Sequence, residues 1–331
     1  MRKSIAIIIT SILVLSGCNK QQSVSDRLLN EVEKAIAINP DSASNLLKGI
    51  SSPEKLDNKT FARWCMLSGK ITDEIFNSIL PTYQLERAYD WYSSHGSPDE
   101  QVQILIYLGR SYFADGDYDK AMSIYTNALD IAEKNKLNNL TGYTYSYIGD
   151  LYGEKFMRTE AIKRYKAAAE CFKKENNTDS YACALRDVGR EYACIDSLSR
   201  ALKILTIADS VARNTKNIEV TASIDNALGN IYAMQNKYDK AEEYFLKALV
   251  GRETMPDYMA LIDLYIASGA INKAQELLSK ILQDNPKYTY SIKYLYYQIY
   301  NEEKNYKEAL TNLKEYVEIT DSIIYADNQS K

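Results

Sequence analysis

Small, apolar and aromatic residues recur through the middle of the chain with a period of 40 residues. Each copy of the pattern has an apolar residue, then a glycine and, three positions after the glycine, a tyrosine. An alanine comes 12 residues after each glycine, and a large apolar residue follows four positions further on. The glycines are Gly109, Gly149, Gly189 and Gly229, and the alanines are Ala121, Ala161, Ala201 and Ala241.

The spacing within one copy predicts two packed helices. The apolar residue before each glycine and the tyrosine after it are four positions apart, so they lie on one face of a helix. Glycine and alanine let two helix backbones approach closely, and the two helices should therefore cross at these residues. Because the copies are in register, each unit is expected to bury its apolar face against its neighbours, which predicts an all-α solenoid of antiparallel helix pairs.

This pattern resembles the tetratricopeptide repeat, a helix-turn-helix unit with small residues at the helix crossings. The resemblance implies a right-handed α-solenoid. The usual repeat has about 34 residues, so a period of 40 implies longer helices or longer links, as at residues 175–179. A solenoid over 102–325 is predicted, with regular repeats at 102–135, 142–175, 182–215 and 222–255 and weaker ones at 255–288 and 290–323. Ile262 replaces the glycine of the fifth repeat, where the crossing should be wider.

Residues 1–18 read as a secretory signal rather than as part of the fold. Arg2 and Lys3 give a basic start, residues 5–15 are apolar, and the run ends in Leu-Ser-Gly-Cys. This segment is too short to span a bilayer and resembles a bacterial lipoprotein signal, in which the final cysteine is acylated. Cys18 is therefore the expected lipid-bearing residue. The alternative is an ordinary cleaved signal with an incidental cysteine.

The segments around the solenoid are less regular. Residues 19–25 are polar and are expected to be a flexible tether, and residues 26–101 a pair of degenerate helical repeats that caps the solenoid. Residues 93–98, rich in serine, glycine and proline, are expected to form a loop. The last helix should end near Tyr325, which leaves 326–331 as a polar tail.

The residue inventory favours neither catalysis nor a metal site. The chain has one histidine, His95, within the expected loop. One histidine rules out a multi-histidine metal site, and the chain has no glycine-rich phosphate-binding motif. Carboxylates such as Asp115 and Asp117 lie between two helices, where solvated turn residues are expected. No catalytic residue, metal or cofactor is therefore expected.

The net charge of −4 becomes about −6 when the signal takes Arg2 and Lys3 with it. Such a chain has no general excess of positive charge for nucleic acid, so no nucleic-acid partner is expected. Export would permit disulfides. Cys171 and Cys183 could meet across a helix junction, or they could be small buried thiols; the sequence leaves both possibilities open.

The candidate binding residues lie where the repeats differ. Most of the 28 tyrosines are expected to pack between helices, since a tyrosine recurs in every repeat. The resemblance implies that the first helix of each pair lines a concave groove and that the residue after the glycine faces it. The candidates are Arg110, Asp150, Arg190 and Asn230, with Arg186 and Asn226 one turn earlier.

Two of these candidates favour an acidic ligand. Arg186 and Arg190 are four positions apart on one helix, and guanidinium groups suit carboxylate recognition. The alternative is a groove that is merely solvated. The chaperone-binding carboxylate clamp of the tetratricopeptide family is not matched, because Ile106 and Arg110 occupy its lysine and asparagine positions.

A closer resemblance rests on the order of several segments. Residues 39–43, 96–98 and 316–323, together with the 40-residue repeats, are similar to the extracytoplasmic tetratricopeptide region of bacterial membrane-bound sensors and regulators. In that family a membrane helix and a cytoplasmic module usually follow. Because this sequence stops at Lys331, we expect a tethered binding module instead.

The expected function is therefore non-catalytic binding of a protein or peptide in the cell envelope, with the lipid as membrane anchor. The residues after Cys18 lack an acidic cluster, which favours the periplasmic face. One alternative is a scaffold or assembly subunit bound to an envelope complex by its convex face. A third hypothesis, an enzyme or glycan-handling protein, has no catalytic constellation to support it.

Overall fold

The computed structural model describes residues 24–75, 79–284 and 289–330; the predicted signal, Cys18 and most of the tether lie outside them. Within this part the chain forms α-helices joined by short links, with no strand. The protein is therefore all-α, as predicted. It divides into two compact units, Met1–Asn176 and Asn177–Lys331. None of the described helices is both long and apolar enough to cross a membrane.

The first unit contains eight described α-helices, of which the last six form three hairpins. Its largest fully buried side chains include Phe61, Leu85, Leu105 and Tyr125. The helices are α1 (described over 24–36), α2 (Pro40–Lys48), α3 (Asn58–Ile75), α4 (Thr82–His95), α5 (Pro98–Ala114), α6 (Tyr118–Lys134), α7 (Asn138–Glu154) and α8 (Arg158–Lys174).

The second unit is also built from paired helices. Phe245, Ile262, Leu278 and Leu295 are buried in its core. The helices are α9 (Thr178–Cys194), α10 (Leu198–Ala212), α11 (Ile218–Met234), α12 (Tyr238–Gly251), α13 (Met255–Ala267), α14 (Ile271–Asp284), α15 (Thr289–Glu302) and α16 (Tyr306–Ser330).

The 40-residue period comes from long helices and not from long links. Helices α5 to α8 have 17 residues each, and three-residue turns join them. The middle residue of each turn has a positive φ: 78° at Gly116, 56° at Lys136 and 57° at Phe156. The longer link expected at 175–179 is not found, because α8 ends at Lys174 and α9 begins at Thr178.

Each of these turns closes the preceding helix in the same way. The amide of Asp117 donates to the Tyr112 carbonyl at 2.9 Å, and that of Met157 donates to the Tyr152 carbonyl at 2.8 Å. These bonds reach back five residues, as in the Schellman motif, and satisfy carbonyls that the helix leaves without a partner. The second unit repeats the turn after α9 and after α11.

Each regular glycine faces one large side chain of the partner helix. A Cβ at Gly109 would lie 2.3 Å from Cε1 of Tyr125, and one at Gly189 would lie 2.6 Å from Cγ of Leu205. Gly149 meets Tyr165 and Gly229 meets Phe245 in the same way. The alanines four positions before those large residues, from Ala121 to Ala241, are fully buried. The glycine thus leaves room for a ring or a branched chain, and the alanine lies beside it.

Three segments differ from the sequence-based expectation. The loop expected at 93–98 is reduced to Gly96 and Ser97, because α4 extends to His95 and α5 begins at Pro98. A capping box explains the early start: the Ser97 amide donates to Glu100 Oε2 at 2.8 Å, and the Glu100 amide donates to Ser97 Oγ at 3.3 Å. Residues 24 and 25 of the expected tether are already helical, and α16 runs past Tyr325 to Ser330.

Candidate functional site

The candidate residue of the first unit that lies deepest is Arg110. It follows Gly109 on α5, and its side chain is 19% exposed. It donates from Nη1 to Asp73 of α3, and its guanidinium carbon lies 5.5 Å from the ring centre of Tyr147 on α7. Asp150, the equivalent residue on α7, is exposed and accepts a hydrogen bond from the Tyr165 hydroxyl at 2.6 Å.

Arg110 borders a cavity of about 420 Å³ in the first unit. The side chains that line it come from α3, α5 and α7, the first helices of the three hairpins. They are Thr72, Asp73, Glu74, Gln103, Ile106, Tyr107, Arg110, Leu140, Tyr143 and Tyr147. Half of these side chains are polar or charged and half are apolar or aromatic, and a volume of about 300–1,000 Å³ is typical of ligand sites.

Hydrogen bonds hold the polar part of this cavity in place. Asp73 accepts from Arg110 and, at Oδ2, from the Tyr107 hydroxyl at 3.0 Å. Tyr147 stacks on Tyr125 with 5.6 Å between ring centres. Burial raises the pKa of Tyr147 to about 12, although Arg110 opposes the shift. The phenol is therefore neutral at pH 7, and the ion pair of Arg110 is the one with Asp73.

In the second unit the two candidate arginines share a carboxylate of the chain itself. Arg186 donates to Asp187 from Nε at 3.0 Å and from Nη2 at 3.1 Å, and it donates from Nη1 to Ser223 Oγ at 2.9 Å. Arg190 is 66% exposed, and its Nη1 lies 3.7 Å from Asp187 Oδ1. A partner carboxylate would have to compete with Asp187 for this pair.

The two candidate asparagines belong to a network around a buried carboxylate. Asn230 Nδ2 donates to Asn226 Oδ1 at 2.9 Å, and Asn226 Nδ2 donates to Asp257 Oδ1 at 2.9 Å. Asp257 is fully buried and also accepts from Arg252 and from the Thr254 hydroxyl. Asn226 therefore ties α11 to α13, which is a structural role.

Sequence comparison matches two parts of the chain to family models. Residues 100–174 match one tetratricopeptide repeat model, and residues 221–255 match another. The chain contains tetratricopeptide repeats. Comparison with curated proteins finds no sequence match.

Solved structures share the fold at low sequence identity. A Rap protein complexed with Competence and Sporulation Factor aligns with a TM-score of 0.68, at 18% identity over 92% of this chain and 88% of that one. NprR in complex with its cognate peptide NprX aligns with a TM-score of 0.55, at 14% identity over 88% of each chain. A tetratricopeptide repeat protein from Parabacteroides merdae has a TM-score of 0.55, at 16% identity over 78% of this chain and 93% of that one.

Sequence reasoning found Arg110 but missed most of the cavity around it. Asp73 and Glu74 lie on α3, in the degenerate segment 26–101, which does not follow the 40-residue pattern. Tyr143 and Tyr147 are not among the sequence candidates, since most of the tyrosines are expected to pack between helices. A signal was present, because their positions do not hold tyrosine in the third and fourth tetratricopeptide repeats, which have Cys183 and Asp187, then Ser223 and Ala227.

The cysteines form no disulfide in the described part of the chain. Cys65, Cys171, Cys183 and Cys194 are free. Burial raises the pKa of Cys65 and Cys183, which keeps both as thiols at neutral pH. His95 ends α4 and stacks on Trp91 with 5.0 Å between ring centres, while its Nδ1 lies 2.9 Å from the Trp91 carbonyl. Cys65 is buried and His95 packs on Trp91, whereas Cys194 is exposed.

Proposed function

We propose that the chain is a non-catalytic module that binds a peptide segment of a partner protein, held in the cell envelope by an acylated Cys18. The observation that carries the binding proposal is the cavity between α3, α5 and α7. Its ion pair and tyrosines are already held in place by the fold, which reduces the ordering cost of binding. Two proteins with this fold support the same class of ligand: NprR is in complex with its cognate peptide NprX, and the Rap protein is complexed with Competence and Sporulation Factor.

The envelope part of the proposal rests on residues 1–18 alone. A basic start, an apolar run and Leu-Ser-Gly-Cys are typical of a lipoprotein signal. Acyl chains contribute about 0.8 kcal/mol per buried methylene, so several chains on one cysteine give stable anchoring without a membrane-spanning helix. The module would then meet partners at the periplasmic face.

Site-specific photocrosslinking tests the binding proposal. p-Benzoylphenylalanine would replace Tyr143 in the cavity or, as a matched control, Tyr83 on α4, which is 67% exposed and outside the cavity. In native cells we expect a discrete adduct from position 143 and none from position 83. The same adduct should disappear when Gln103→Trp fills the cavity. Equal crosslinking at both positions, or none at 143, would contradict binding in this cavity.

A scaffold role is the second candidate, and one observation favours it. Leu246 and Val250 lie four positions apart on α12 and are 46% and 91% exposed. Exposed apolar side chains on one helix face suit contact with another protein. The same crosslinker at Val250 distinguishes the two functions: a stoichiometric adduct there, with none at position 143, would favour the scaffold.

A further inference from the structure

The cavity of the first unit has an acidic rim. The Asp73 side chain is 44% exposed, against 19% for Arg110, and Glu74 is exposed as well. Two carboxylates and one guanidinium line the cavity, so their charges sum to −1. An incoming group meets carboxylate oxygens before it reaches the guanidinium, and the rim therefore favours a cation.

The uncharged lining of the cavity also suits a cationic side chain. Tyr143, 38% exposed, offers part of its ring to a ligand, and a tyrosine face attracts a cation within about 6 Å. Arg110 makes such a contact with Tyr147 at 5.5 Å. Ile106 and Leu140 supply apolar surface, against which the methylene stem of an arginine or lysine can pack while its charged end stays near the rim.

We propose that this cavity is the specificity subsite of the module and that it takes an arginine or lysine side chain of the bound peptide. The cationic head pairs with Asp73 and Glu74, and Tyr143 lies against it. This inference rests on the proposed function. Asp73 has capacity for the contact, since a carboxylate has about four acceptor positions and Arg110 and Tyr107 each donate to one of its oxygens.

An acidic ligand fits the same place poorly. To reach Arg110, a carboxylate would have to displace Asp73 from an ion pair that is already formed, and it would then lie near Glu74. Like charges at such a site lower affinity, which gives the subsite discrimination as well as attraction. The proposed ligand of this subsite is thus basic, whereas Arg186 and Arg190 suggested an acidic ligand.

A peptide library with blocked ends tests the charge preference. The probe is a set of immobilised hexapeptides, N-acetylated and C-amidated, in which one position is fixed as arginine, lysine, glutamate or leucine and the others are random. The full mature chain is compared with Glu74→Gln, Asp73→Asn, Tyr143→Leu and the control Glu170→Gln, an exposed carboxylate on α8. Far-ultraviolet circular dichroism and thermal melts show that each variant is folded.

We expect the arginine and lysine pools to bind best. Glu74→Gln should reduce that binding about tenfold or more, as for a lost charge-assisted hydrogen bond, and Tyr143→Leu about two- to fivefold. Glu170→Gln should change nothing. Binding that prefers glutamate or leucine, or basic pools that bind Glu74→Gln and Asp73→Asn as well as wild type, would overturn the basic subsite and leave peptide binding intact. No binding of any pool would overturn the proposed function itself.

Discussion

Glycine occupies the closest contact between the two helices of each regular repeat. Any larger residue at Gly109 or Gly189 would push against a ring or a branched side chain that has no exposed end to move. The cost of such overpacking falls on both helices, since core side chains already sit at close-packed density. The identity of the facing residue varies, from Tyr125 to Leu205, while the glycine does not.

Gly189→Leu should destabilise the second unit by about 1–3 kcal/mol or more, because its Cβ alone would lie 2.6 Å from Cγ of Leu205. The control is Ile262→Leu at the equivalent position of the fifth repeat, which is already fully buried and bulky. That exchange conserves volume and should cost less than about 1.5 kcal/mol. Thermal and urea unfolding measure both. A melt of Gly189→Leu equal to that of wild type would show that the crossing is elsewhere.

The sequence predicted the helical class, because glycines, tyrosines and alanines at fixed spacing reflect the packing of helix pairs. It predicted links less well. The period of 40 residues could not distinguish long helices from long loops, and the capping box of Ser97 and Glu100 was hidden in a segment rich in turn-forming residues. Ion pairs such as Arg110 with Asp73 join residues 37 positions apart and cannot be found from local spacing.

Polar contacts outside the 40-residue pattern also join the helices. At the junction of α12 and α13, Asp257 accepts from Nε and Nη2 of Arg252, both at 2.9 Å, and from the Thr254 hydroxyl. The same carboxylate accepts from Asn226 on α11. A fully buried carboxylate is tolerated when it is hydrogen-bonded and paired, as here. This network fixes the position of α13 against α11 and α12.

Asp257→Ala should therefore destabilise the second unit by about 1–3 kcal/mol, since it leaves Arg252 and Asn226 without their shared acceptor. This expected loss of stability is smaller than the loss for a wholly buried ion pair, because Arg252 is 31% exposed. Urea unfolding measures the loss, with Glu276→Ala, an exposed carboxylate on α14, as control. The control should stay within about 0.5 kcal/mol of wild type. Equal stability of the two variants would mean that the network adds nothing to folding.

The two compact units have different chemistry although they repeat one fold. The first unit contains the cavity with tyrosines and the Arg110–Asp73 pair. In the second, Arg186 pairs with Asp187, and Asn226 donates to Asp257. Repeats with the same packing residues can therefore differ wherever a position does not contribute to the helix crossing. The binding proposal therefore concerns the cavity of the first unit.

Attachment to the membrane is predicted to depend on a single thiol at Cys18. Cys18→Ala should abolish acylation and leave unprocessed precursor, because the lipid-directed cleavage of a lipoprotein signal requires the modified cysteine. Acyl-chain labelling and fractionation of cells measure the two effects. Cys194→Ala is the control, since Cys194 is exposed and free and its loss should leave a labelled, anchored, mature-size protein. The contradicting outcome is a Cys18→Ala variant that reaches mature size and remains with the membranes. That result would show that the signal is an ordinary cleaved one and that attachment does not depend on Cys18.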